Sequence, residues 1–372
     1  MVVLYVFVIF AFLMGSRSEF KLYEYVIILI IAYLLSSVIV SRDIFIISSG
    51  YGYDVIHYLK AFEELIMLDG YDFIEINKIG LFNTGSSEVL FWQYSYLLSV
   101  FTDEPRQVWF LIVFNGIVLL YLSLLNINKF PIFIMIFLSS ITFWAYAGSA
   151  IRQFAALFML ILAVKYHENK KVYLILILSC FIHLSFVFIT LLFLYIKVIK
   201  IHSIKMAFKH SLVILIVSLS FGFISNYIFN FIEVENGLSG KLASRLADNE
   251  SGYSWLLQYI IESLFFVVFC FVIIRNKAVT KLSYFSMVFL ILFFSLVVGL
   301  SLFSGISDRL YRYSYLFYLL IFTESLSFFN AKVRVLIGYW CLLASLLYFL
   351  FLFDARYLVN YNYHSIFELV LL

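Results

Sequence analysis

Apolar runs long enough to cross a bilayer recur along this chain, and no other feature limits its fold as tightly. A spanning helix needs about 20 predominantly apolar residues, within a range of about 17 to 25. Candidate spans fall at 2–14, which is short, and at 23–40, 107–125, 131–147, 152–165, 172–197, 211–229, 255–274, 283–303, 314–329 and 336–354. Hydrocarbon offers the backbone no hydrogen bonds, so each run must be a helix or part of a closed barrel. A barrel needs apolar and polar residues to alternate, and these runs do not. The expected fold class is an all-α polytopic membrane protein with about 10–12 transmembrane helices. Composition excludes the soluble alternative, since 13% of residues are charged and 65% hydrophobic. A soluble domain carries about 25% charged residues.

No soluble domain, internal repeat or low-complexity linker interrupts the pattern, so 1–372 reads as a single integral-membrane domain. Met1 to Met14 lacks a basic n-region and a small-residue cleavage site, and reads as a retained first helix. No run of Lys and Arg is dense enough for a nucleic-acid site. The three cysteines, each inside an apolar run, suggest neither disulfides nor zinc.

Lys and Arg set sidedness, because they concentrate on the cytoplasmic side. Fifteen of the 25 cluster at Arg17/Lys21, Lys129, Lys165/Lys170/Lys171, Lys197/Lys200/Lys205/Lys209, Arg275/Lys277/Lys281 and Lys332/Arg334. With these inside, every span alternates except 172–197, which has lysines at both ends and too few residues to cross twice. Two readings of this run stay open. One is a re-entrant helical hairpin with His183 near its tip; the other is a single long tilted helix. The same assignment puts 41–106 outside as the one large outer loop, with an amphipathic stretch at 88–101 suited to the interface. Shorter outer segments fall near 147–151, 230–254, 304–313 and 355–372.

The outer side holds the unexpected charges. Its ten basic residues include seven arginines, among them Arg42, Arg152, Arg245, Arg309 and Arg312. Arginine binds phosphate through a planar fork and stays charged when partly buried. The group therefore fits an outer-leaflet phosphate or pyrophosphate site, although any one of them can equally reach a headgroup or a nearby carboxylate. In 304–313, Arg309 and Arg312 share a helical face, interleaved with Tyr311 and Tyr313. Arg152 and Gln153 open an apolar helix, where a charge is costly unless it meets an anion or a carboxylate. Asp54 and Tyr58 stand four residues apart in a tyrosine-rich stretch, and such groups suit sugar rings and hydroxyls. His183 is an ionisable group within an apolar run, with no acidic residue near it in sequence. Glu262 and Glu324 read as polar ties between helices. Walker A, HExxH, CxxC, GxSxG and DxD-type patterns are all missing.

Four pieces together resemble a known family. They are Tyr53-Asp54-x-x-x-Tyr58, Glu88 opening an amphipathic helix, Ile151-Arg152-Gln153-x-x-Ala156, and Phe181-Ile182-His183-Leu184-Ser185. The chain is similar to the EpsG family, the Wzy-like polymerases of O-antigen, capsule and exopolysaccharide. That family commonly reads E-P-G-[FY] where this chain has Glu88-Val89-Leu90-Phe91. The resemblance implies a polymerase in the bacterial inner (plasma) membrane, with its active site facing the periplasm or exterior. It would work on undecaprenyl-pyrophosphate-linked oligosaccharide, among membrane lipids, with a flippase and a chain-length regulator as candidate partners. No cofactor and no metal are expected. Arg152, Arg309 and Arg312 would hold the donor pyrophosphate, with Gln153, Arg245, Tyr58, Tyr313 and Glu88 also binding substrate. Asp54 or His183 would be the base.

Three other readings remain. A flippase or transporter of the same lipid-linked sugar would need polar groups across both leaflets and some sign of inverted repeats. A membrane acyltransferase would need a His with an acidic partner. A structural assembly subunit would need none of the arginines beyond insertion.

Overall fold

The computed structural model describes residues 21–41, 53–85, 88–124, 137, 141–148, 150–231, 254–275, 279–301, 304–330, 333 and 336. Among these there are thirteen α-helices and one short 3-10 turn, with no strand. In chain order they are α1 (Lys21–Val40), α2 (Tyr53–Ile66), α3 (Phe73–Thr84), α4 (Val89–Ser99), α5 (Pro105–Leu124), α6 (Ile141–Gly148) and α7 (Ile151–Lys165). They continue as α8 (Lys171–Ile182), α9 (Phe186–Ile199), α10 (Ile204–Phe231), α11 (Ser254–Arg275), α12 (Lys281–Gly299) and α13 (Ser304–Ser325). The segments Pro105–Leu122, Ile204–Ile224 and Lys281–Gly299 are long and apolar enough to cross a bilayer. Ile28–Val40, Lys171–Ile182, Phe186–Ile199 and Phe266–Arg275 are shorter apolar helices. The protein is an all-α membrane protein. Helix α10 presents Phe208, Leu212, Ile216, Val217 and Phe223 on its surface, as a lipid-facing helix does.

Several expected spans are resolved as helices, while 2–14 lies outside the described residues and so do nearly all of 336–354 and much of 131–147. Two expectations change. The run 172–197 is two helices, so the single tilted helix is excluded. The backbone breaks at His183, which is extended (φ −152°, ψ 121°), and α9 starts at Phe186. The segment 304–313, expected as a short outer stretch in which Arg309 and Arg312 share a helical face ahead of a span at 314–329, is part of that same helix, α13, which starts at Ser304. Ser307, Leu310, Ser314 and Phe317 are all fully buried at helical spacing, so the core-facing stripe simply continues through it.

The chain divides into two compact units, one of 1–184 with 331–372 and one of 185–330. In the first, α5 packs on α1, α2, α4 and α7, while α4 also meets α3 and α8. Polar ties reinforce this packing. Trp109 Nε1–H donates to the Ala147 carbonyl at 2.9 Å, and Arg106 Nη1–H donates to the Val40 carbonyl at 2.7 Å. The expected large loop, 41–106, therefore contains three packed helices. Helix α3 begins where Asp72 accepts the Ile74 and Glu75 amides at 2.8 and 3.0 Å, a cap that satisfies otherwise orphaned donors.

In the second unit α12 packs on α9, α10 and α13, around stacked rings such as Phe289 and Phe317, 4.4 Å apart. Glu324 of α13 accepts the amide and hydroxyl of Thr280 at 3.1 and 2.9 Å. The expected interhelical tie thus holds the start of α12. At the other end of α12, Gly299 lets α10 approach closely. A Cβ there would lie 1.8 Å from Ser218 Oγ and 2.8 Å from Ser218 Cβ. Gly299→Ala therefore destabilises the protein by about 1–3 kcal/mol. Ser218→Ala recovers only part of this, because its Cβ still clashes. Thermal unfolding in detergent checks both, and a wild-type midpoint for Gly299→Ala would refute the close approach.

Candidate functional site

Four segments of the first unit bring charged and polar groups to one buried point. Helix α2 supplies Tyr58, the residue before α4 supplies Glu88, the first turn of α7 supplies Arg152, and the break after α8 supplies His183 and the Leu184 amide. None of the four side-chain residues is more than 8% exposed.

Arg152 donates from Nε to the Tyr58 hydroxyl and from Nη1 to Glu88 Oε2. Its guanidinium carbon also lies 5.4 Å from the Tyr58 ring centroid. A guanidinium has five N–H donors in a rigid fork, and Nη2 engages no other described residue. The second Glu88 oxygen, Oε1, accepts the Leu184 amide at 3.2 Å and lies 3.9 Å from His183 Nε2.

Local structure explains why the groups meet. Glu88 is the N-cap residue of α4, yet its carboxylate makes no capping bond and reaches Arg152 instead. Arg152 sits in the first turn of α7, whose N-cap, Ala150, offers no side-chain acceptor. A cation there opposes the helix dipole, whereas a carboxylate is favoured; Glu88 makes the position tenable. The His183 amide still closes α8 onto the Ser179 carbonyl at 3.0 Å. The Leu184 amide lies past the end of the helix and is satisfied by Glu88.

Tyr58 is held by an aromatic nest. Phe62, Phe91 and Trp92 surround it with ring centroids 6.3, 6.0 and 6.2 Å away. Trp92 is itself fully buried against Gly80 of α3, where an added Cβ would fall 2.3 Å from the indole.

The other expected site residues are placed as follows. Gln153 is buried, and its Oε1 has no hydrogen-bond partner among the described residues. Asp54 is the second residue of α2, but its side chain lies outside the described residues, as does all of Arg245. Arg309 and Arg312 lie three residues apart on α13 in the second unit and are half-buried. Tyr313 is fully buried there, its ring edge-on to Phe186 at 5.5 Å. One expectation is corrected. His183 has an acidic neighbour, Glu88, from 95 residues earlier in the chain, which its local sequence could not reveal. The Leu184 amide and the Gly80–Trp92–Tyr58 support were missed altogether. Among the described residues no three His, Cys, Asp or Glu side chains converge as metal ligands.

The chain is 27% identical over 348 residues to the EPS I polysaccharide export inner membrane protein EpsF of Ralstonia solanacearum, covering 87% of this chain and 77% of that protein. It is 25% identical over 338 residues to the protein of the same name from Ralstonia nicotianae, with the same coverage. No solved structure matches the chain. The sequence profile of the EpsG family matches residues 44–365, from before α2 to beyond α13, and so takes in Tyr58, Glu88, Arg152 and His183. The chain belongs to the EpsG family.

Proposed function

We propose that this protein is an exopolysaccharide polymerase of the inner membrane, a glycosyltransferase acting at the outer leaflet. The buried Arg152, held by Glu88 and Tyr58 beside His183, carries the reading. The family supports a part in exopolysaccharide biosynthesis, as do relatives named for polysaccharide export in an inner membrane.

On this reading the donor is a glycan linked to undecaprenyl pyrophosphate, and Arg152 binds its pyrophosphate. The non-reducing hydroxyl oxygen of a second lipid-linked repeat unit attacks the donor's anomeric carbon. The bond from that carbon to the pyrophosphate oxygen breaks, and its electron pair leaves with the lipid pyrophosphate. A guanidinium aimed at the departing group stabilises the charge that develops there. His183 accepts the hydroxyl proton, and the neighbouring Glu88 carboxylate stabilises the imidazolium. The chemistry needs no metal in this scheme. The clustering of Lys and Arg, read by the positive-inside rule, supports an exterior-facing cluster.

The test is a glycan ladder gel from cells lacking the gene, complemented with wild type or His183→Gln at equal membrane abundance. We expect single repeat units only in the deletion, full polymer with wild type, and at least a 100-fold loss of polymer with His183→Gln, in the range that removal of a general base gives. Full polymer in the deletion with acylation lost would favour the acyltransferase. Absence of even single repeats outside would favour the flippase.

A further inference from the structure

We infer that Glu88 is an internal stand-in for the substrate's phosphate, a latch on Arg152 that the donor must displace. This rests on the reading of Arg152 as the donor-anion residue. Two features support it. First, Glu88 offers Arg152 the ligand a phosphate would offer, an anionic oxygen on the guanidinium fork. Tyr58 fixes the Nε edge of the same fork, while Nη2 engages no other described residue. An incoming anion therefore has the N–H donors of Nη2 to land on and the Glu88-bound Nη1 to contest. Second, the displaced carboxylate already has a second position. Its other oxygen lies 3.9 Å from His183 Nε2 and accepts the Leu184 amide of the helix break. Moving toward His183 keeps Glu88 paired and completes the Glu88–His183 couple only when Arg152 holds the donor. Donor binding thus arms the base. Glu88 is a positioning residue, acting through Arg152 and His183.

The latch predicts an effect opposite in sign to that of a structural ion pair. Glu88→Gln keeps the shape and a hydrogen-bond acceptor but removes the competing charge. The test is titration of the full-length protein in lipid nanodiscs with inorganic pyrophosphate, for wild type, Glu88→Gln and Arg152→Ala. We expect Glu88→Gln to bind pyrophosphate about tenfold more tightly than wild type, ~1.4 kcal/mol, while polymer formation in cells falls. Arg152→Ala loses the binding. If binding depends on Arg152 but Glu88→Gln binds equally or more weakly, the latch is wrong and the donor-site reading survives. If Arg152→Ala binds as wild type does, the donor-site reading falls and takes the latch with it. Should Glu88→Gln fold poorly, Glu88→Asp gives a second arm. Its shorter carboxylate weakens the hold on Arg152 and should also tighten pyrophosphate binding, and wild-type or weaker binding by a folded Glu88→Asp would overturn the latch.

Discussion

On the proposed polymerase reading, Arg152→Ala is expected to eliminate polymer and to lower the unfolding temperature of the purified protein, and Arg152→Lys to restore neither fully. The guanidinium makes two bonds in different directions, to Tyr58 and to Glu88, within a site that is about nine-tenths buried. Its removal leaves the Glu88 carboxylate buried without its counter-charge, a change that costs about 3–5 kcal/mol. Lysine keeps the charge but concentrates it at one point, and cannot hold both partners in a fork. Loss of one donor aimed at developing charge costs about 100- to 1,000-fold in rate, so polymer should fall at least that far. The two effects can be separated. Arg152→Met with Glu88→Gln removes both charges, and replacing both members of a buried pair is often neutral for stability. The double variant should therefore unfold near wild type and still make no polymer. If Arg152→Lys makes full-length polymer, the bidentate role is wrong.

Gly80→Ala damages the same site without touching any of its polar groups. On an exposed helix this change would stabilise by about 0.5–1 kcal/mol through lower backbone entropy. Here the new methyl would lie 2.3 Å from the Trp92 indole, which has no exposed side toward which to shift. Overpacking a filled core costs about 1–3 kcal/mol, which exceeds the helix gain. Movement of Trp92 is passed to Tyr58 and so to the Nε edge of Arg152. We expect a lower unfolding temperature together with reduced polymer. Trp92→Phe in the Gly80→Ala chain should recover part of both. A double-mutant cycle across Gly80 and Trp92 measures the coupling, and additive effects would show that the two residues do not bear on each other.

Much of this architecture was legible because hydrocarbon allows so few solutions. Apolar runs had to be helices, and the starts of α1, α5, α7 and α12 fall within about two residues of the expected positions. The break at His183 was visible as a conflict between lysines at both ends and a run too short to cross twice. The full length of α13 was not, because Arg309 and Arg312 keep its first turns out of the apolar run that marks a span at 314–329. Only the burial of Ser307 and Leu310 reveals the helix. Arg152 could be read as a charge in need of a carboxylate, and Glu88 as notable in itself. Their pairing could not be read, since they are 64 residues apart and no local periodicity links them. Gly80 gave no signal at all, because its importance depends on what packs against it.

The spacing of the cluster along the chain also sets an order of assembly during synthesis. At about 5–20 residues per second, Glu88 leaves the ribosome about 3 to 13 s ahead of Arg152, which follows it by 64 residues. An arginine opening an apolar helix is costly to insert unless it is paired, and a carboxylate already in place offsets part of that cost as α7 emerges. Leu184 arrives last, 96 residues after Glu88. The nascent chain thus presents the carboxylate first, the guanidinium second and the helix break third, so that each later group meets a partner that is already made.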